Sequence, residues 1–397
     1  MMAFETGQSP VWPIPPDWAS GVRETLTWST EILQARATGV TQHLAGREYP
    51  LRRFSFDVIA GGAEKRLADA LVASFGSMRW RLPIWPDVQY LPAVPDGSVV
   101  INCRTLGFDF HAGGVAMLWR GINDWAVVGI ADVVPGAIVL SSPLDRAWPR
   151  GTRLYPLRWA RMEPSSSFRV ATDAQDSASM AFVVDEPSAW AEALPPDSYR
   201  GHPVMDMEPD WGEESERSYS RLTDEVTDAT GAPFTVDTAG VSFRQVGQQF
   251  RLWGRDSLGR FRSLLYALRG RQRPLWVPSW SSDLKIVAPV NAGAGSIDVE
   301  WCGYSVLPQG SRRDLRIELR GGVVLYRRVV SSVEVGEIER LTLDSPINLD
   351  GPVHAVRRVS FMVLSTLASD ETQLFHDADA DGLTRVSIAW KEVVTDV

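Results

Sequence analysis

Cysteine is scarce in this chain, with only Cys103 and Cys302 among 397 residues. Two thiols build neither a disulfide framework nor a cysteine-rich zinc site, so a hydrophobic core has to hold the fold. Histidine is sparse too: His43, His111, His202, His354 and His376 stand apart, with no H-x-x-x-H or H-E-x-x-H spacing. Lysine occurs only at positions 65, 285 and 391, and a net charge of −9 speaks against a surface that displaces counterions from phosphates. No run of about 18 apolar residues is present, which excludes a membrane-spanning helix. The opening MMAFETGQSPVWPIPPDW has neither the basic nor the apolar region of a secretory leader. There is no G-x-S-x-G elbow, no GxxxxGK loop and no G-x-G-x-x-G following a strand. No catalytic residue and no cofactor is therefore expected.

What remains is an ordinary globular balance, 44% apolar and 22% charged, with length enough for two or three cored domains. Sixteen Trp is a heavy load, and the basic residues are nearly all Arg. Both types are enriched at interface hot spots, although a GC-rich coding sequence gives the same Arg bias. Trp12, Trp18, Trp28, Trp85, Trp276 and Trp280 are the candidate contact residues for partners.

The two halves of the chain match weakly but in order. RRFSFDV, a helical stretch and GSMRWRLPIWPD in the first correspond to QQFRLWG, a helical stretch and GRQRPLWVPSW in the second. Phe54 falls against Phe250, Gly76 against Gly270, Pro83 against Pro274, Trp85 against Trp276, Cys103 against Cys302 and Arg158 against Arg358. Each match alone is weak; the collinear series predicts a duplicated module. Residues 63–75 and 256–269 each gather an apolar helical face, with Gly76 and Gly270 placed to end the helices in the left-handed conformation. Short β-branched and aromatic runs follow at 98–103, 115–119, 125–130, 137–141 and 153–160. The second half offers 284–290, 296–302, 314–319, 322–330, 337–343 and 353–364.

The predicted fold class is mainly β (α+β): two tandem β-sandwich or barrel modules, each with one amphipathic helix. Residues 1–47 form an extended arm and a first hairpin strand. Residues 25–32 alternate as a strand that pairs with 50–58, with a helix as the competing reading because Val22, Leu26 and Leu33 also fit a helical face. Residues 48–192 are copy one, 193–236 an acidic linker that also supplies a first strand to copy two, and 237–397 copy two.

The nearest thing to a site is HDADADG. Asp377, Asp379 and Asp381 before Gly382 match the first half of a calcium loop, but the twelfth position is Ile388 where a bidentate Glu is needed. A solvated hairpin turn is the plainer reading. The acidic run Asp206, Glu208, Asp210, Glu213, Glu214 and Glu216 reads as a solvated linker before it reads as a glycosidase pair. Cys103 and Cys302 read as buried strand positions.

Trp28-Ser-Thr-Glu-Ile, the Gly39-Val-Thr-Gln turn, Pro50-Leu-Arg-Arg-Phe-Ser-Phe, the helix and Leu82-Pro-Ile-Trp85 together resemble tail-tip proteins of phages with long non-contractile tails. Pro274-Leu-Trp-Val-Pro-Ser-Trp280 repeats the end of that pattern. The resemblance implies tail-tube-like modules in a structural virion protein, either a distal tail (minor tail) ring or a baseplate hub, assembled in the host cytoplasm. The partners it implies are copies of the chain, the tail tube protein, the tape-measure protein and the hub or receptor-binding proteins, with no membrane and no specific nucleic acid. Two modules per chain suggest a trimer with pseudo-six-fold symmetry, a hexamer being the rival, around a hole whose acidic wall lets DNA pass. Two other classes compete. In a carbohydrate- or receptor-binding module, Trp12, Trp18, Trp148, Trp211 or Trp280 would stack on sugars. A tail-associated cell-wall hydrolase would need converging carboxylates.

Overall fold

The computed structural model describes residues 9–393, apart from 36–38, 77, 164–166, 227–230, 232, 233, 308, 309, 311 and 349. The chain is mainly β, 50% strand against 9% helix; among the described residues the strands pair antiparallel, with isolated parallel bridges at Val11–Arg81 and Val204–Trp276. Among the described residues no helix is long and apolar enough to cross a membrane.

The first half opens with β1 (Val22–Thr27), which lies against β4 (Leu51–Gly61), Val22 opposite Phe56 and Thr27 opposite Leu51. β4 turns Arg52, Phe54, Phe56, Val58 and Ala60 inward, the period of two that makes it a half-buried strand. The strand expected over 25–32 breaks after Thr27. β2 (Thr30–Gln34) and β3 (Thr41–Ala45) then close an outlying hairpin of their own. Gly62, at φ 53°, turns the chain into α1 (Ala63–Phe75), which buries Ala68 and Leu71. There follow β5 (Arg79–Pro83), β6 (Gln89–Tyr90), β7 (Val100–Asn102), β8 (Val115–Gly121), β9 (Asp124–Val134), β10 (Ala137–Leu140), β11 (Arg153–Met162), β12 (Ser167–Val170) and β13 (Gln175–Val184). β13 also alternates strictly, with Ala178, Met180 and Phe182 inward.

Between the halves the acidic stretch is more than a linker. It holds β14 (Ser198–Tyr199) and β15 (His202–Pro203), and it buries Val204 and Met205 completely. β16 (Arg217–Val226) then forms a long hairpin with β17 (Phe234–Trp253), which leads into α2 (Gly254–Leu268). The last elements are β18 (Leu275–Pro278), β19 (Ser296–Glu300), β20 (Asp314–Leu319), β21 (Val324–Val335), β22 (Ile338–Leu343), β23 (Val356–Leu367), β24 (Glu371–His376) and β25 (Leu383–Glu392). The run 284–290 makes isolated bridges at Leu284, Ile286 and Val290 instead of a strand. The helix ends also differ from expectation. Gly76 is right-handed at φ −48°, and the left-handed turn after α2 begins at Arg269, one residue before Gly270.

Eight strand pairings of the first half have a counterpart in the second, and β6–β11 is matched there by the isolated bridge Leu284–Val359. β4–β13, β12–β13, β11–β13, β5–β11, β8–β11, β8–β9, β9–β10 and β7–β10 occur in the first. β17–β25, β24–β25, β23–β25, β18–β23, β20–β23, β20–β21, β21–β22 and β19–β22 occur in the second. The leading strands correspond as well, β1 on β4 and β16 on β17. Register refines the sequence matches. Leu157 faces Pro83 and Met362 faces Pro278, which aligns Leu82-Pro83-Ile84-Trp85 with Val277-Pro278-Ser279-Trp280. Trp85 thus corresponds to Trp280, not Trp276. The two buried arginines Arg52 and Arg244 also correspond, since Leu26 faces the one and Tyr219 the other.

One sheet runs through both halves in the order β12-β13-β4-β1-β24-β25-β17-β16. α1 packs over its first part in a core with Trp12, Trp80 and Phe182, and α2 packs over its second part with Phe250, Phe261 and Trp390. The remaining strands of each half wrap two smaller cores, around Leu118, Ile138 and Leu154 and around Ile317, Leu341 and Phe361. Phe261 is fully buried at the centre of the α2 core. Phe261→Ala should lower stability by about 3–5 kcal/mol in urea unfolding, and a loss below about 1 kcal/mol would contradict this packing.

Candidate assembly interface

The two halves meet at β1. Its second edge pairs with β24, Val22 opposite His376, Glu24 opposite Leu374 and Thr27 opposite Glu371. The amide of Trp28 extends this ladder, donating to the carbonyl of Asp370 at 2.8 Å. A hairpin arm strengthens the joint: β2–β3 reaches the second half, where a side chain at Gly39 would come within 2.6 Å of the Phe243 ring.

Beneath this joint lies a buried ion network. Glu24 accepts from Arg52 Nε at 3.0 Å and from Arg262 Nη2 at 2.5 Å, and His376 Nε2 lies 3.1 Å from it. Arg52 continues to Asp109 at 2.6 Å, Asp109 to Arg158, and Arg158 to Glu186 at 3.3 Å. Asp87 joins by accepting from the Asp109 amide at 2.8 Å and from Arg255 Nη1 at 2.6 Å. Arg52, Asp109, Arg158 and Asp87 come from the first half, Arg255, Arg262 and His376 from the second. Four guanidinium groups thus meet four carboxylates, which offsets much of the desolvation penalty.

Burial alone would raise the Glu24 pKa, but Arg262, Arg52 and His376 outweigh it and hold the carboxyl well below its ordinary 4.5. Asp109 is likewise depressed, burial being outweighed by Arg52 and Arg158. Burial lowers the His376 pKa below 6.5 against the pull of Glu24, so the ring is neutral at pH 7, and its Nδ1 meets Thr384 Oγ1 at 3.0 Å.

The residues singled out from sequence lie elsewhere. Trp12, Trp28, Trp85, Trp276 and Trp280 are core residues of this chain and Trp18 is partly buried, so they are not a surface offered to partners. Trp12 docks under the N-terminal arm through its amide to the Arg81 carbonyl at 3.2 Å. Trp276 Nε1 donates to the Tyr199 carbonyl at 2.8 Å, and the guanidinium groups of Arg316 and Arg358, which share Glu318, lie 4.6 and 5.3 Å from the Trp280 ring centroid. The HDADADG carboxylates do not converge. Asp377 pairs with Arg385 at 2.6 Å, Asp381 with Arg104 at 2.7 Å, and Asp379 reaches the Tyr90 hydroxyl. Asp381–Arg104 is the ion pair of this turn that crosses between the halves, while Asp377–Arg385 stays within the second half. No three His, Cys, Asp or Glu among the described residues are grouped to hold a metal. Cys103 is half-buried, with burial raising its thiol pKa to about 11, whereas Cys302 is exposed, contrary to expectation.

Sequence reasoning missed the network itself. Its signal was charge in phase with an apolar face: Glu24 between Val22 and Leu26, Arg52 two before Phe54, and Arg262 next to Phe261. Beside it opens a cleft of about 480 Å³ lined by Leu106, Phe108, His111, Trp190, Arg255 and Arg260.

No protein-family model matches the chain, and no curated protein matches it.

Glu24→Gln keeps the shape but leaves Arg52 and Arg262 short of one buried charge. A loss of about 3–5 kcal/mol is expected in chemical unfolding, and a loss under 1 kcal/mol would remove the network from its structural role. The pH dependence has a definite sign. Glu24 and His376 both bind protons less readily folded than unfolded, so their stabilisation is full above pH 6.5 and is lost on acidification. The His376 share falls below pH 6.5 and the Glu24 share below pH 4.5. The urea midpoint should drop across both windows, and the gap between the native chain and Glu24→Gln should narrow in the second. A gap that does not change with pH contradicts the assignment.

Proposed function

We propose that this chain is a non-enzymatic structural subunit of the tail tip of long-tailed, non-contractile phages, forming a ring between the tail tube and the tip complex. The observation that carries this reading is the correspondence of strand pairings in the two halves. It supports a duplicated module whose copies are already joined head to tail, β1 of one against β24 of the other. A head-to-tail joint repeats until it closes a ring or runs on as a fibre. Three chains supply six modules, which suits a six-fold tube above and a three-fold tip below.

In such a ring the solvent face of the eight-stranded sheet is the natural wall of the hole. That face carries Arg23, Arg53, Arg251, Arg385 and Lys391 against Asp57 and Glu371, among Ser, Thr and Gln. The acidic wall expected from net charge is absent from it, because most acidic residues lie on loops and in ion pairs. Five basic against two acidic side chains make this face net positive, which counts against passage of DNA by like-charge repulsion. The sugar-binding alternative loses Trp12, Trp148 and Trp280 as platforms, since all three are buried.

Light scattering and cryo-electron microscopy of the purified chain test the proposal. The expected particle contains three chains of 43.9 kDa with six similar lobes. Six chains per ring would overturn the trimer, and a strict monomer up to about 100 µM would overturn the ring.

A further inference from the structure

One joint between modules is made within the chain, and the same two edges stand open at the ends of the sheet. β12 pairs only with β13 and β16 only with β17 among the described residues. β16 occupies in the second half the place that β1 occupies in the first, and β12 corresponds to β24. We propose that the β16 edge of one chain joins the β12 edge of a second copy, repeating between chains the β1–β24 joint. The proposal rests on the ring reading above and names the surface that closes it.

The exposed apolar residues support this choice of edges. Tyr219 faces Arg244 as Leu26 faces Arg52, yet Tyr219 is 61% exposed and Leu26 is fully buried. Phe168 faces Ala178 as Leu374 faces Val386; Phe168 is only partly covered, Leu374 completely. Val170, at the place of the buried His376, is 69% exposed. The arms repeat the pattern. Phe243, covered by the β2–β3 hairpin, is 5% exposed, while its counterpart Leu51 is 40% exposed with no such cover. The free end of the β16–β17 hairpin, which presents Phe234 at 65% exposure, is the arm placed to cover the Leu51 of a second copy. Tyr219, Phe168 and Leu51 therefore sit where the closed joint buries an apolar group, and Val170 sits where it buries His376.

The inner joint also dictates a register. Arg23 stands opposite Phe375. The counterpart of Arg23 is Glu216, whose carbonyl takes the Gly247 amide at 2.9 Å, and the counterpart of Phe375 is Arg169, opposite Ser177. Glu216 of one chain therefore faces Arg169 of the next, an opposite-charge pair. The Trp28 amide bond to Asp370 sets the phase of the ladder, so this is a non-hydrogen-bonded pair, with Cα atoms about 4.5 Å apart and side chains in reach of each other. The counterpart of Glu24 is Arg217, so the buried ion network, which needs a carboxylate at that place, belongs to the inner joint alone. The outer joint is held by edge hydrogen bonds, apolar cover and this surface pair.

The test uses the full chain with Glu216→Cys and Arg169→Cys combined, each single variant serving as control for Cys103 and Cys302. Mild oxidation should give covalent dimers and trimers from the double variant and from neither single variant. In parallel, Glu216→Arg or Arg169→Glu alone should weaken assembly about 5-fold or more per joint, and the two together should restore it. Assembly into three-chain particles without cross-linking, and indifferent to charge reversal, overturns this joint while leaving the ring intact. A chain that is monomeric in every variant and in the native form overturns both.

Discussion

A single carboxylate with no access to water organises the centre of this molecule. Glu24 sits on the strand shared by both halves, and it reaches one arginine from each. A lone buried charge would be prohibitively unfavourable, and so would either arginine without it. The three groups are tolerable only together, which makes the relative placement of the halves an electrostatic requirement as well as a packing outcome. Apolar contacts alone tolerate small slides and rotations. Charge-assisted hydrogen bonds at 2.5–3.0 Å do not, and they convert a hydrophobic contact into a defined angle between the halves.

That angle matters for an object built by repetition. A head-to-tail contact sets the pitch and rotation of everything added after it, and an error of a few degrees per step turns a closed ring into an open spiral. Fusing two units in one chain and locking their geometry with buried ions fixes three of the six joints in the proposed particle before any chains meet. The other joints then need only shape, edge hydrogen bonds and modest surface charge, interactions weak enough to correct themselves during assembly.

Much of the fold was readable because it rests on local periodicity. The alternation through Phe54, Phe56 and Val58, and the apolar face of residues 256–269, each point to one kind of element. The correspondence between the halves was readable in order but not in register. Matching Trp85 with Trp276 was natural because both are Trp beyond a proline, yet the ladder opposite them aligns Trp85 with Trp280. Register is decided by cross-strand partners far away in sequence, which composition does not reveal. The tryptophans misled for a related reason: a large aromatic residue looks the same in a list whether its pocket is supplied by a partner or by its own chain. β13 and β25 were passed over although Met180, Phe182, Val386 and Trp390 alternate inward, because buried polar residues at their starts, Asp176 and Thr384, and outward Ser and Ala dilute the pattern.

The position of β1 also bears on how the chain becomes folded. One of its neighbours, β4, is made soon after it, but the other, β24, belongs to the last stretch of the polypeptide, with Val22 opposite His376. Throughout synthesis one side of that strand must wait, its amides and carbonyls unpaired and Glu24 lacking its arginine from α2. An edge whose second partner lies so far along the chain offers a site for wrong pairing with other chains until the β24–β25 hairpin covers it.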